Sequence, residues 1–285
     1  MSKKQIIIKS SGEKEEFEVE KLKSSLSRSG ADEITISYVI DEILPTISDG
    51  TSTKEIYKKA FNVLRKEKST SAARYSLKKA IMELGPTGYT FEQFIGQLLK
   101  EQGFDVQVGV NVQGQCVQHE VDVVATSGNK QYLVECKFYN AQGKYANVQV
   151  PLYIRSRVDD IVKKRQALPE YKDMQFYGWI VTNTRFTGDA ADYGRCAGLH
   201  LMGWDYPESH SLKDMIEKNG LFPITVLTSL EKMYKQILLS KGYVLCKQLL
   251  HQPELLTQIG IKANKQKAIM EELFDLSMLD ESLIP

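Results

Sequence analysis

The chain has 285 residues, of which 42% are hydrophobic and 26% charged, a composition that excludes a disordered tail, a collagen-like chain and a coiled-coil rod. At about 100 to 200 residues per domain, this length predicts two or three domains. The 37 Lys and Arg residues nearly balance the 36 Asp and Glu residues, and the net charge of +1 excludes a global positive field that would attract nucleic acid or an anionic membrane. Any contact with phosphate must therefore be local.

The sequence carries no pattern typical of secretion or of a membrane span. The apolar run of three isoleucines near the start is too short for a secretory signal, and no segment approaches the ~20 apolar residues of a membrane helix. The cysteines are widely spaced and form no Cys-x-x-Cys pair, which disfavours a zinc site and a disulfide framework. We therefore expect a cytoplasmic protein with no membrane partner.

The first predicted unit covers residues 1–86 and ends at a Gly-Pro-Thr-Gly sequence that is typical of a domain boundary. Short strands over residues 5–9 and 15–19 flank Gly12, which predicts a β-hairpin. Ser52 and Glu55 have the spacing of a capping box and predict the start of a helix. Together with three further helical patterns, over residues 21–28, 33–47 and 71–84, they indicate a hairpin attached to a small helical bundle.

The middle unit, residues 87–210, alternates helical and strand patterns. An apolar helical pattern that ends at Gly103 is followed by three strand patterns rich in Val, Phe and Tyr, and then by helix, strand, helix and strand. The predicted ranges are strands over 104–112, 117–126, 131–139, 176–181 and 199–202, and helices over 150–166 and 189–196. This order predicts an α/β fold with a mixed sheet flanked by helices. The last unit, residues 211–285, is predicted to be all-α, helical throughout from about residue 221 with breaks at Gly242 and Gly260.

A Glu-x-Lys pattern lies in the third strand of the middle unit. Because side chains alternate along a strand, Glu135 and Lys137 share one face, and Val134, Cys136 and Phe138 occupy the other. A solvated sheet face on which these charges happen to fall explains an isolated pattern of this kind. Asp122, however, lies inside the apolar run of the preceding strand, where a buried carboxylate requires a cation or hydrogen bonds.

These residue types predict phosphodiester hydrolysis. Two convergent carboxylates, from Asp122 and Glu135, with the backbone carbonyl of Cys136 form an all-oxygen set suited to Mg²⁺, which keeps several waters for a substrate phosphate. Lys137 would hold or help deprotonate the attacking water and offset the negative charge of the transition state.

Residues 91–204 resemble the PD-(D/E)xK nuclease superfamily, specifically its Mrr-like restriction endonuclease branch. Asp122 fits the aspartate of that family, and Glu135, Cys136 and Lys137 fit its (D/E)-x-K strand. Gln149 and Tyr153 match the Q-x-x-x-Y element that follows this strand, although Pro151 lies between them. The resemblance implies a DNA endonuclease that depends on Mg²⁺ or Mn²⁺, with a role in restriction or defence.

Glu92, on the preceding helix, matches a glutamate that completes the metal site in the family. Each supporting residue also has a purely structural interpretation. Tyr153 fits a packed core aromatic. Glu92 fits a solvated glutamate favoured by the helix dipole. If the helix starts at Pro151, Gln149 lies outside it and does not share a face with Tyr153.

The first unit resembles the ATP-cone, a nucleotide-sensing module. Lys9, Gly12, Phe17 and Lys21 fit its pattern, whereas Ser10 stands where that pattern usually has arginine. The resemblance implies that ATP or dATP binds at Lys9 and Lys21, one at the hairpin end and one at the helix start. The alternative is that both are solvated surface lysines.

The last unit is similar to helix-hairpin-helix modules, in which a glycine turn brings backbone amides close to DNA phosphates. A plain helical oligomerisation domain fits the same pattern. Taken together, the three units predict a Mg²⁺-dependent DNA endonuclease regulated by ATP or dATP, acting as a dimer or larger homo-oligomer because cutting both strands requires two active sites. The alternatives are a nucleotide-sensing DNA-binding regulator with an inactive nuclease fold, and a structural partner protein.

Overall fold

The computed structural model describes residues 5–9, 12–67, 69–141 and 143–277. A mixed five-stranded sheet flanked by helices forms its centre, which confirms the predicted fold class. None of the helices within those ranges is both long and apolar enough to span a bilayer.

The N-terminal unit is a two-stranded antiparallel hairpin followed by helices. Gly12, at φ +86°, lies in the predicted turn, and Ser10 and Ser11 lie outside the described residues. The capping box is confirmed, because the Glu55 amide donates to the Ser52 hydroxyl and the Ser52 amide donates to the Glu55 carboxylate. The predicted helix over 71–84 is instead two helices that meet at Ser76. The elements are β1 (Ile6–Ile8), β2 (Lys14–Glu16), α1 (Val19–Arg28), α2 (Glu33–Ile43), α3 (Thr53–Glu67), α4 (Ser69–Tyr75) and α5 (Leu77–Met82).

The middle unit has the predicted order of elements. The elements are α6 (Tyr89–Glu101), β3 (Asp105–Gln113), β4 (Gln118–Ser127), β5 (Lys130–Lys137), β6 (Tyr145–Ala146), α7 (Gln149–Gln166), β7 (Gln175–Thr182), β8 (Arg185–Phe186), α8 (Gly188–Cys196) and β9 (His200–Met202). The sheet order is β3-β4-β5-β7-β9, in which β3, β4 and β5 are antiparallel neighbours and β5, β7 and β9 run parallel. A second, two-stranded sheet pairs β6 with β8, which the sequence did not predict because each strand has two residues.

The two faces of the sheet pack against different helices. On one face, Val134 and Cys136 of β5 lie in the same apolar cluster as Phe91 and Phe94 of α6. On the other face, Leu133 lies in a cluster with Ile154, Val158 and Ile161 of α7. Glu135 and Lys137 share one face of β5, as predicted from its two-residue period, and α7 packs on that face.

The C-terminal region is helical except for its first segment. Residues 221–231, predicted as helix, form irregular backbone with a short 3₁₀ turn at Ile224–Val226. The reason is that backbone amides here bond a distant side chain rather than carbonyls of a helix. The amides of Thr228 and Ser229 donate to the buried Glu272 carboxylate, at 2.7 and 2.8 Å. The helices are α9 (Leu212–Lys218), α10 (Lys232–Ser240), α11 (Cys246–His251), α12 (Glu254–Gln258) and α13 (Ala263–Ser277).

The units pack on one another through shared apolar cores. Helices α1 to α3 and the hairpin bury a cluster of their own. Helix α5 belongs to a different cluster, which it shares with α6, one face of the sheet and the C-terminal helices. The hydroxyl of Thr225 donates to the Ala80 carbonyl at 2.7 Å and adds a buried polar contact between α5 and the C-terminal region.

Asn183, which directly follows β7, ties α5 to the end of β5. It is fully buried, and its side chain accepts from the Tyr139 amide at 2.9 Å and donates to the Tyr139 carbonyl at 3.0 Å. The Lys78 ammonium donates to the Asn183 backbone carbonyl and lies 4.5 Å from the ring centroid of Trp204. Burial lowers the pKa of Lys78 to about 8.

Replacing Asn183 by alanine is expected to lower the free energy of unfolding by about 2–4 kcal/mol, because the partly buried backbone amide and carbonyl of Tyr139 would lose their partner. Urea denaturation measures this loss. Asn111→Ala, at an exposed position of β3, serves as the control and is expected to change stability by less than about 0.5 kcal/mol. Equal effects of the two substitutions would contradict the assigned role of Asn183.

Candidate nuclease site

Strands β4 and β5 separate at Asp122. Their pairing ends with Val123 opposite Val134. Beyond this point the Cys136 amide bonds a side chain in place of a β4 carbonyl: it donates to the Asp122 carboxylate at 2.7 Å. Gly109 of the neighbouring strand, at φ +66°, lies between the paired residues Val108 and Val110 and opposite Asp122, where regular pairing is interrupted. The separation opens the space into which the acidic side chains project.

Glu135 is held between two cations on the α7 face of the sheet. The residue is 5% exposed. One carboxylate oxygen contacts the Lys137 ammonium, and the other accepts from Arg157. Arg157 also donates to the Glu120 carbonyl at 3.1 Å and to the Tyr153 hydroxyl, and its guanidinium carbon lies 4.6 Å from the centroid of the Tyr153 ring. The two cations offset the cost of burying this carboxylate.

The remaining carboxylates repel one another. Burial, and then the charge of Glu135, raise the pKa of Asp122 to about 6, although the Cys136 amide opposes this shift. Burial, followed by the charges of Asp122, Glu120 and Glu135, raises the pKa of Glu92 to about 7. Glu92 is half-buried in the first turn of α6, and these influences show that it belongs to the same electrostatic cluster. It is thus not a freely solvated helix-end glutamate.

Lys137 remains protonated. Burial alone would lower the pKa of its ammonium group, but the hydrogen bond and the charge of Glu135 outweigh that effect and raise the pKa. A lysine in this state supplies positive charge and hydrogen bonds rather than a free base. Of the two roles expected from the sequence, the geometry favours the one that offsets negative charge.

The donor set fits a divalent cation in its chemistry. Carboxylates of Glu92, Asp122 and Glu135, with the Cys136 carbonyl, are oxygen ligands of the type that Mg²⁺ and Mn²⁺ take, and a cation would relieve the repulsion that raises the pKa of Asp122. Within the described part of the chain, however, no three His, Cys, Asp or Glu side chains already converge on one ion position. One reason is that both oxygens of Glu135 already pair with cations, one with Lys137 and one with Arg157.

Gln149 and Tyr153 share the first turns of α7. The helix begins at Gln149, so Pro151 lies inside its first turn, where proline is tolerated, and the two residues are one turn apart. Tyr153 is 53% exposed, which excludes the packed core aromatic. It reaches the acidic cluster through Arg157, whereas the Gln149 side chain is exposed at the helix start.

The lysines predicted to bind nucleotide lie together on the hairpin side of the N-terminal unit. Glu15 is 2.8 Å from the Lys9 ammonium and 3.6 Å from that of Lys21, so the two cations flank one carboxylate. Lys9 also contacts Glu13, and Lys21 contacts Glu18. Phe17 packs against the apolar core of the same unit. The position of Ser10, the departure from the ATP-cone pattern, lies outside the described residues.

The predicted helix-hairpin-helix unit contains two glycine turns: Gly242, at φ +82°, follows α10, and Gly260, at φ +84°, lies between α12 and α13. Contact of this turn with DNA stays a prediction.

Arg157 and Glu120 were missed in the sequence. Arg157 is four residues beyond Tyr153 on α7, so helical spacing places it on the same face as the Q-x-x-x-Y element. Applying that spacing to the whole helix would have identified it. Glu120 is two residues before Asp122 and had no such signal, because its backbone carbonyl, not its side chain, contacts Arg157.

Two parts of the chain match models of known protein families. Residues 85–206 match the family model described as restriction endonuclease, and residues 222–276 match the model described as AF1548-like, C-terminal. An uncharacterized protein of Archaeoglobus fulgidus is 35% identical over 179 residues, which cover 62% of this chain and 97% of that protein. The chain belongs to the AF1548-like family.

A solved relative supports the family assignment. The crystal structure of the protein of unknown function AF1548 is 33% identical to this chain, with a TM-score of 0.54, and the match covers 67% of this chain and 98% of that protein. The restriction endonuclease domain of this AF1548-like chain contains Glu92, Asp122, Glu135 and Lys137. Nucleases of this kind generally use divalent metals and act on DNA.

Asp122→Asn is expected to stabilise the protein at pH 8 by about 1–2 kcal/mol after allowance for solvent screening. The pKa of Asp122 is raised from 3.8 in the unfolded chain to about 6 in the fold, so the wild type loses stability as the pH rises through that window. The neutral amide avoids this loss and still accepts the Cys136 amide. Urea denaturation at pH 4 and pH 8 measures the difference.

Near pH 4 the variant and the wild type should have nearly equal stability, since the wild-type carboxyl is then largely protonated in the fold. Asp105→Asn, an exposed substitution on β3, controls for general charge effects. A variant that is less stable than the wild type at pH 8 would contradict the proposed repulsion among the carboxylates.

Proposed function

We propose that this chain is a divalent-metal-dependent endonuclease that hydrolyses DNA phosphodiester bonds, with Mg²⁺ or Mn²⁺ as the cofactor. The observation that carries the proposal is the charged cluster where β4 and β5 separate: Asp122 bonds the Cys136 amide, Glu135 pairs with Lys137, and the charges of Asp122 and Glu135 act on Glu92. The match to a restriction endonuclease model supports the same chemistry and a role in restriction or defence.

Asp122, Glu135, Glu92 and the Cys136 carbonyl would hold the cation, which when bound polarises a phosphate oxygen and lowers the pKa of a water. The amide of Cys136 fixes the orientation of Asp122, so its second oxygen remains directed away from that bond. The Lys137 ammonium places positive charge beside the position where negative charge develops on the phosphorus oxygens.

Gln149 and Tyr153 are proposed to contact the DNA strand. Both lie on the exposed start of α7, one turn apart, and Tyr153 is adjacent to the acidic cluster through Arg157. A tyrosine ring and a side-chain amide suit contacts to sugar and phosphate that position a strand without reading its sequence. Because cutting both strands requires two active sites, we propose that the working form is a dimer or larger assembly.

The N-terminal unit is proposed to bind ATP or dATP at Lys9 and Lys21 and to regulate cleavage. Their shared contact with Glu15 shows that the two ammonium groups reach one position, although a triphosphate would have to replace that carboxylate. We propose that the effect reaches the nuclease site through α5, where Lys78 bonds Asn183, which in turn bonds Tyr139 two residues beyond Lys137.

A second function, a nucleotide-sensing DNA-binding regulator without cleavage, is favoured by one observation. Both oxygens of Glu135 are bound by cations, and no closed metal-ligand set exists among the described residues. The cleavage assay distinguishes the two functions.

With Mg²⁺ or Mn²⁺, the wild type is expected to cut DNA, and Asp122→Ala and Lys137→Ala to reduce the rate at least about 100-fold. The assay uses unmodified and modified duplexes, with and without ATP and dATP. Lys130→Ala is the matched control, because Lys130 lies on the same strand at its exposed far end. If the wild type and all variants leave every substrate intact under all conditions, the regulator is the better conclusion.

Lys9→Ala and Lys21→Ala are each expected to weaken ATP and dATP binding at least about tenfold by calorimetry, because each removes a charge from the phosphate position. Lys23→Ala, on the exposed side of α1, is the control and should bind like the wild type. Lys78→Met should keep nucleotide binding but abolish its effect on cleavage, because it breaks the contact with Asn183. Unchanged affinity in both Lys9→Ala and Lys21→Ala would refute the nucleotide site.

A further inference from the structure

We propose that Arg157 exchanges one partner for another. Its guanidinium pairs with the Glu135 carboxylate in the free protein and moves to a DNA phosphate when a divalent cation binds Glu135. The inference rests on the proposed function and adds to it a positioning residue outside the expected site. It also explains why the described carboxylates do not yet form a closed ligand set.

The contacts of Glu135 carry the first step. Its two oxygens are divided between Lys137 and Arg157, and only 5% of the residue is exposed, so water does not weaken these pairs. A cation that approaches Glu135 meets two positive groups already in place. Binding therefore requires one of those groups to leave, because a carboxylate oxygen shared with a guanidinium is a poor ligand for a further cation.

Arg157, rather than Lys137, is the group that is able to leave. Lys137 is anchored two residues from Glu135 on the same strand and face, so it stays close whatever rotamer it takes. Arg157 instead reaches across from α7, and its Nε is buried with no hydrogen-bond partner in the described structure. In its present position Arg157 donates to Glu135, to the Glu120 carbonyl and to the Tyr153 hydroxyl but leaves Nε unpaired. A new partner that also accepts from Nε would offset part of the cost of leaving.

The surroundings of Arg157 supply its second position. Its guanidinium stacks on Tyr153, whose ring is 53% exposed at the start of α7, where the proposed DNA strand passes. The fork of five N–H donors matches the oxygens of a phosphate, and an anion there would pair with the free Nε–H as well. Glu135 and the phosphate are therefore alternative partners of one guanidinium.

The exchange predicts opposite effects on metal and DNA binding. Arg157→Gln removes the competing charge and is expected to bind Mn²⁺ about tenfold more tightly in the absence of DNA, measured by calorimetry or by electron paramagnetic resonance. Arg157→Lys keeps a competing cation and should remain near the wild type. Arg155→Gln is the matched control: Arg155 lies on the same helix but contacts Asp159 and the Ala197 carbonyl.

DNA binding is measured with Ca²⁺, by fluorescence anisotropy at several salt concentrations. Arg157→Gln should lower the slope of log affinity against log salt by about 0.9, the value for one lost phosphate contact, while Arg155→Gln leaves it unchanged. Tyr153→Phe, which removes only the hydroxyl that accepts from Arg157, is the second variant and should tighten Mn²⁺ binding by a smaller factor. It keeps the test usable if Arg157→Gln does not fold.

Mn²⁺ binding that is unchanged or weaker in Arg157→Gln and Tyr153→Phe, with the wild type binding normally, would overturn the exchange and leave the proposed nuclease function intact. Absence of Mn²⁺ binding in the wild type and in every variant would instead overturn the metal site, and with it both proposals. An unchanged salt slope in Arg157→Gln would refute the transfer to phosphate.

Discussion

The site depends on one buried carboxylate. Glu135 is removed from water at the end of β5, and its charge is tolerated only because Lys137 and Arg157 accompany it. The neighbouring Asp122 and Glu92 have less compensation, as the raised pKa of each shows. The three carboxylates thus carry an excess of negative charge beside two cations, of which Lys137 is fixed and Arg157 is proposed to move. Such a cluster gains more from a divalent cation than an isolated carboxylate does.

These charges come together because the backbone pairing of β4 and β5 ends before Asp122. If β4 and β5 continued their ladder past Val123, Asp122 would be fixed in a regular register and the Cys136 amide would bond a backbone carbonyl. The separation leaves that amide for the Asp122 side chain and lets α6 and α7 contribute Glu92 and Arg157 from opposite faces. The local cost of a broken ladder is therefore linked to the chemistry that the site is able to perform.

What the sequence predicts here follows from short-range periodicity. The faces of β5, the capping box at Ser52 and the order of elements in the middle unit depend on spacings of two to four residues, and the structure confirms them. Residues 221–231 were misassigned as helix because their partner, Glu272, is more than forty positions away. Arg157 was missed in part for this reason: helical spacing places it on the face of Tyr153, but its contact with Glu135, on a distant strand, has no local signal. Long-range partners leave no local pattern.

The same distinction applies to the junction between the N-terminal unit and the nuclease domain. Helix α5 lies before the Gly-Pro sequence that predicts a boundary, yet its apolar residues belong to the core of the sheet and of the C-terminal helices. A change in the orientation of α5 would shift Lys78, and with it Asn183 and the backbone of Tyr139, two residues from Lys137. The contacts from Lys78 through Asn183 to Tyr139 are therefore the connection through which the proposed regulation would act on the end of β5 and on Lys137.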